Sequence, residues 1–316
     1  MHTHSHTHSH IGDLTTQTTK RLTLSLILTA AFVIIEVTAG IFGNSLALLT
    51  DAAHNFTDVI ALGLSWYALR IALKPAHAGK TFGYHRVGIL VALVNSTTLI
   101  LIAFGIFFEA YHRFIATPEV NAPILIGVGI VAFIINLVTA LLVHKGSESD
   151  LNLRSTFLHL MGDVMSTLGA VIAGVIIYFT QWNWLDPLVS VLIGGFILWN
   201  AWSILRQSIH ILLESTPENI DMKEMVEKLH TVDGVRSVHD LHVWSINENL
   251  RMLSAHVVTD DISMRESSLI QQDINELLAH GYNIQHATLQ IECEGCGNGL
   301  LYCDFDERKH QHRVEA

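Results

Sequence analysis

The stretch TDAAHNFTD, Thr50 to Asp58, decides how this sequence is read. It lies inside an apolar run, yet it carries Asp51, His54 and Asp58. Its surroundings establish what kind of run it is. Half of the 316 residues are hydrophobic and only 15% are charged, against about a quarter in an ordinary soluble domain. Roughly twenty consecutive apolar residues cross a bilayer as a helix. Six such runs stand at about 22–43, 46–70, 87–112, 122–143, 156–179 and 184–204. Each is too long for a single buried strand. The N-terminus is polar and histidine-rich, so no cleaved signal peptide is expected.

Basic residues set the expected orientation. With a cytoplasmic N-terminus, the inner segments hold Lys20, Arg21, Arg70, Lys74, Lys80, Arg86, Lys145, Arg154 and Arg206. The outer loops then hold only Arg113. Six crossings return the C-terminus to the cytoplasm. The sequence thus divides into a His-rich tail (1–20), a six-helix transmembrane domain (21–206), a cytoplasmic domain (207–293) and a Cys-containing tail (294–316).

The net charge of −11 falls entirely after residue 206, where 19 acidic and 8 basic residues stand. That excludes nucleic acid as a natural partner. Met222, Met225, Val226 and Leu229 line one face of a predicted helix over 218–231. SVHDLHVWSI alternates as a strand does, and LRMLSAHVV follows across a polar NEN turn. Met264 to His280 is a second amphipathic helix, and IQHATLQIE a third strand. The order αββαβ predicts an open-faced sandwich with helices on one side of a sheet.

His54 and Asp58 are four residues apart and share a helical face. LHLMGD in the fifth run repeats the spacing with His159 and Asp163. Each charged aspartate costs roughly 2.5–3.5 kcal/mol at mid-bilayer. Two imidazoles and two carboxylates offset that cost by holding a divalent cation, and four such ligands suit tetrahedral Zn²⁺. Ca²⁺ or Mg²⁺ takes more oxygen ligands, and no cysteine lies in any apolar run. The alternative for each pair is a hydrogen-bonded cluster between helices; a matched repeat favours the metal.

The sequence resembles the cation diffusion facilitators, in their bacterial zinc-exporting branch. The likeness is carried by SLALLTDAAHNFTD, FGYHR at the head of the third run, LHLMGD, DPLVS entering the sixth, and VHDLHVW with a last strand ending QIE. It covers nearly the whole chain. It implies a homodimer of six-helix subunits in the cell inner membrane, with a cytoplasmic metallochaperone-like domain. It implies a transporter, not an enzyme, exporting Zn²⁺ in exchange for protons. It implies a transport site at the positions of His54, Asp58, His159 and Asp163, with histidine at 54 matching zinc-preferring members. Metal loading needs neutral imidazole and ionised carboxylate and so releases protons, and a site opening alternately to either side converts a proton gradient into export. Asp51 is outside the matching set and is read as a polar residue near the cavity.

Further positions follow from the resemblance. His239, His256 and Glu292 match positions that bind regulatory zinc; a surface His/Glu cluster is the alternative. Asp240 and His242 are expected to point partly to the opposite face, because strand side chains alternate. In the loop KPAHAGKTFGYHR, where relatives hold a second metal, only His77 and His85 remain as histidines, too few for four-coordinate zinc. Arg86 and Glu214 match a charge pair. His2, His4, His6, His8 and His10 form a tract that binds zinc weakly, and Cys293 and Cys296 make a C-x-x-C that captures zinc or stays as free thiols. Glu36, Asn95 and Asn136 read as interhelical hydrogen-bonding residues. Asp186 before Pro187 reads as the N-cap of its own helix, and Gly194 and Gly195 as close-packing positions.

Other classes fit less well. An intramembrane zinc protease needs H-E-x-x-H, which is absent from the sequence. A passive channel carries a row of weak sites, not one four-ligand cage. An antiporter for Cd²⁺, Co²⁺ or Ni²⁺ is the nearest alternative, since first-row affinities overlap.

Overall fold

The computed structural model describes residues 30–147 and 151–293. Among these, the chain divides into two compact units, 30–69 with 91–205 and 70–90 with 206–293. The first unit is helical: α1 (Ala30–Phe42), α2 (Leu46–Ala72), α3 (Val87–Ala116), α4 (Ala122–Ser147), α5 (Leu151–Thr180) and α6 (Leu185–Leu212). Helices satisfy every backbone group internally, which lipid demands. Among the described residues, four stretches are long and apolar enough to cross a membrane: Val87–Ala116, Ala122–Leu141, His159–Thr180 and Leu185–Leu212. α2 is long enough at 27 residues; the polar side chains of TDAAHNFTD dilute its apolar character. The start of the expected first run lies outside the described residues.

Packing between these helices relies on small residues. Ala47, Ala122 and Ala170 are buried with Leu48, Leu125 and Ile177, which lets backbones approach. A Cβ on Gly194 would lie 2.9 Å from the Phe107 ring, so α6 and α3 meet there, whereas Gly195 faces open space. Phe104, Phe108, Phe179 and Trp199 are exposed, as lipid-facing side chains are.

Asp186 corrects the expectation from its own helix. Its fully buried carboxylate serves α2 instead. It accepts hydrogen bonds from the Ser45 hydroxyl (2.5 Å), the Leu46 N–H (2.6 Å) and the Ala47 N–H (3.2 Å). Arg113 Nη1 stands 3.9 Å away. The first N–H groups of a helix lack intrahelical partners and carry partial positive charge, so a carboxylate from α6 fixes where α2 begins.

The second unit contains α7 (Met222–Leu229), β1 (Ser237–Ser245), β2 (Arg251–Val258), α8 (Met264–Tyr282) and β3 (Ile284–Glu292), in the expected αββαβ order. β1 and β2 pair antiparallel across the Asn247 turn, where Ile246 N–H meets the Leu250 carbonyl at 2.8 Å. β3 pairs parallel with β2, so α8 is the crossover. Met225, Leu229, Ile270, Ile274 and Leu278 bury one face of each helix against Leu241, Val243, Leu253 and Ala255 of the sheet. Asp221 caps α7 by accepting from Lys223 N–H at 2.8 Å. Ser263 and Glu266 form a capping box on α8. Hydrogen bonds from Ser263 hold the Glu266 carboxyl below its usual range.

Candidate metal centres

α2 and α5 bring the two H-x-x-x-D pairs together. His54 Nε2 lies 3.3 Å from Asp163 Oδ1 and 3.6 Å from Asp58 Oδ2. His159 Nε2 lies 3.5 Å from Asp58 Oδ2 and 3.8 Å from Asp163 Oδ2. The two rings stand edge to face with centroids 5.6 Å apart. Zinc bonds of about 2.0–2.1 Å place tetrahedral ligand atoms about 3.3–3.4 Å from one another. The four His–Asp separations run from 3.3 to 3.8 Å with both Asp163 oxygens taking part, and His54, His159 and Asp163 bring their ligand atoms within 4.8 Å of one another, Asp58 standing at the edge of that group. Both ring nitrogens of His54 are buried without a hydrogen-bond partner, a costly state unless a cation takes a lone pair.

Local sequence holds the cage in place. Thr57 donates its hydroxyl to the His54 carbonyl at 2.7 Å, and Thr167 donates to the Asp163 carbonyl at 2.9 Å. Gly162, beside Asp163, leaves room for Phe196 of α6: a Cβ there would sit 2.5 Å from the ring. The cage is lopsided. The side chains of His54 and Asp163 are each 8% exposed, those of His159 and Asp58 40% and 36%.

A polar cluster adjoins the cage. Glu36 of α1, fully buried, accepts from Asn55 Nδ2 at 3.0 Å, and Asp51 stands 3.5 Å from the same nitrogen. Glu36 thus bonds between helices, as read from the sequence. Asn55 is the member that sequence reasoning missed; its spacing of four from Asp51 was the available signal. Asn136 Nδ2 is buried without a hydrogen-bond partner.

A second cluster forms in the second unit. His239, His256 and Glu292 place ligand atoms within 4.8 Å of one another. His239 Nε2 is 3.6 Å from Glu292 Oε2, and His256 Nδ1 is 3.0 Å from Glu292 Oε1. His239 pairs directly with His256 across β1 and β2, and Glu292 ends β3 beside Val258. His239 Nε2 is buried and has no hydrogen-bond partner, so the donors present fit a cation.

Asp240 departs from the expected alternation. The β1–β2 register slips between His239 and His242, and Asp240 takes a left-handed backbone with φ of 49°. An L-residue there costs roughly 1–2 kcal/mol, less for aspartate. The bulge turns the carboxylate toward the cluster, 3.6 Å from His256 Nε2 and 3.1 Å from His242 Nε2.

Residues 22–213 match the cation efflux transmembrane domain, and residues 217–294 match the cytoplasmic domain of cation efflux proteins. The chain belongs to the cation efflux family. It is similar to the cadmium, cobalt and zinc/H(+)-K(+) antiporter of Bacillus subtilis (strain 168), 38% identical over 93% of this chain and 96% of that protein. It is also similar to the zinc transporter ZitB of Pectobacterium atrosepticum, 38% identical over 92% of this chain and 90% of that protein. The metal-bound C-terminal domain of the CzcD transporter from Cuprividus metallidurans is 32% identical, covering 23% of this chain and 99% of its own, with a TM-score of 0.21.

This cation efflux chain is a multi-pass membrane protein, and its other candidate residues divide as follows. His77 and His85 join no cluster among the described residues. His77 Nδ1 accepts from Gly79 N–H at 3.2 Å, which leaves Nε2 to donate to the Tyr84 hydroxyl at 3.0 Å. Both nitrogens are therefore occupied. Arg86 meets Glu214 at 2.8 Å. Cys293 is exposed; Cys296 and the histidines of the N-terminal tract lie outside the described residues.

Proposed function

We propose that this chain exports Zn²⁺ from the cytoplasm in exchange for protons, by alternating access around His54, Asp58, His159 and Asp163. One observation carries the reading: the facing pairs bring two imidazoles and two carboxylates within 3.3–3.8 Å across α2 and α5, around a buried imidazole whose ring nitrogens make no hydrogen bond. Loading the cage strips protons from its ligands, and returning protons expels the cation. Acidification on the far side therefore favours release, and two conformations around one fixed site give vectorial transport. The relatives named as a zinc transporter and as a proton-linked antiporter support this assignment.

The chain works as a homodimer in the inner membrane with both termini in the cytoplasm. Residues 21–206 form the transport domain and 207–293 the regulatory and dimerising domain. His239, His256 and Glu292 hold a resident zinc that stabilises the domain by binding its folded form. The histidine tract of 1–20 and the cysteines after β3 gather zinc nearby. A second reading is exchange of Cd²⁺ or Co²⁺, favoured by the likeness to the cadmium, cobalt and zinc antiporter of Bacillus subtilis; competition against ⁶⁵Zn²⁺ uptake ranks the ions.

The test uses proteoliposomes with an imposed pH gradient. His54→Ala or Asp163→Ala abolishes zinc uptake and the accompanying proton movement while the protein stays folded. Normal flux through either variant removes the site assignment. Zinc flux without proton movement in the unsubstituted protein makes it a channel.

A further inference from the structure

A histidine that ligates metal through one ring nitrogen carries its proton on the other, and in most metal sites a carboxylate or carbonyl orients that N–H. His256 has the geometry for this. Its Nδ1 faces Glu292 Oε1 at 3.0 Å, on the cage side. Its Nε2 faces Asp240 Oδ2 at 3.6 Å. The other oxygen, Asp240 Oδ1, accepts a hydrogen bond from His242 Nε2 at 3.1 Å. Regular strand alternation would send the Asp240 side chain to the opposite face. A slipped register and a left-handed backbone at Asp240 reverse that.

We propose that Asp240 is the positioning carboxylate of the cytoplasmic cage. It favours the proton of His256 on Nε2, so that Nδ1 presents its lone pair beside His239 and Glu292 to a zinc ion. His242 braces the carboxylate from its far side. Asp240 itself does not touch the cation. The inference rests on the reading of His239, His256 and Glu292 as a metal site.

The experiment uses the full chain in detergent micelles. His54→Ala and Asp163→Ala in the background silence the transmembrane cage. Zinc affinity is measured by competition with a chromophoric chelator, and His256→Ala defines the share of binding that belongs to the cytoplasmic cage. Asp240→Asn keeps the size and suits the left-handed backbone. It weakens that share about 10- to 100-fold and leaves the melting temperature of the metal-free protein unchanged. Asp240→Gly, which also tolerates the positive φ, gives the same loss. A purely structural role would instead lower the metal-free melting temperature and spare the affinity. Affinities within about twofold of the parent in both variants overturn the positioning role alone. Zinc binding unaltered by His256→Ala overturns the cage, and the positioning role with it.

Discussion

Replacing Asp186 by asparagine removes one charge and one acceptor from a site where each oxygen has an N–H to serve. Oδ2 accepts from Leu46 N–H at 2.6 Å, and Oδ1 from Ala47 N–H at 3.2 Å and from Ser45 at 2.5 Å. In either orientation the amide turns its NH₂ toward one of those donors. A buried donor left unsatisfied costs about 1–3 kcal/mol. Loss of negative charge at a helix N-terminus adds roughly 0.3–2 kcal/mol. The sum for Asp186→Asn is about 1.3–5 kcal/mol. Equilibrium unfolding in mixed micelles of a mild detergent and dodecyl sulfate measures it. Hydrogen exchange should quicken at Leu46 and Ala47 and not at the far end of α2. A change below about 0.5 kcal/mol, the usual scale of an inconsequential surface substitution, would refute the capping role.

The remaining predictions concern packing, ligands and pH. Leu278→Ala, at a fully buried position of α8, destabilises the cytoplasmic unit by about 2–5 kcal/mol, read as a lower melting temperature of its unfolding transition. Gly162→Leu forces the Phe196 ring away from α5, where even a Cβ would lie 2.5 Å from it; zinc uptake into proteoliposomes falls while the cytoplasmic unit melts as before. His77→Ala leaves the zinc content per chain unchanged in metal analysis, because its ring nitrogens already bond Gly79 and Tyr84. The Glu266 carboxyl is held low by Ser263, so its folded pKa lies beneath the unfolded one. The capping box therefore stabilises α8 above the unfolded pKa and loses that contribution as pH falls through the folded one. A Ser263→Ala variant should show a flatter acid limb in its melting-temperature profile.

Much of this architecture was legible because periodicity reports burial. The strands of 237–258 and 284–292 alternate, and α8 shows its apolar face at helical spacing, so αββαβ could be written from the sequence. The membrane cage was legible because two polar pairs stood out against apolar runs at one repeat. Two features escaped for the same reason: their causes are not local. Asp186 before Pro187 reads like an N-cap, and nothing near it in sequence shows that it lies within the first turn of α6 with donors supplied by α2. Asp240 belongs to an alternating strand, and only a slip in cross-strand pairing turns it around. At His77 the sequence showed too few histidines for four-coordinate zinc, but not that Gly79 and Tyr84 take up both ring nitrogens.

The uneven exposure of the membrane cage has a consequence for the order of events. On the proposed transport reading, a hydrated ion from the open side would meet the more exposed Asp58 and His159 before the buried His54 and Asp163. Its water shell would then be shed in two stages, with the outer pair as the first.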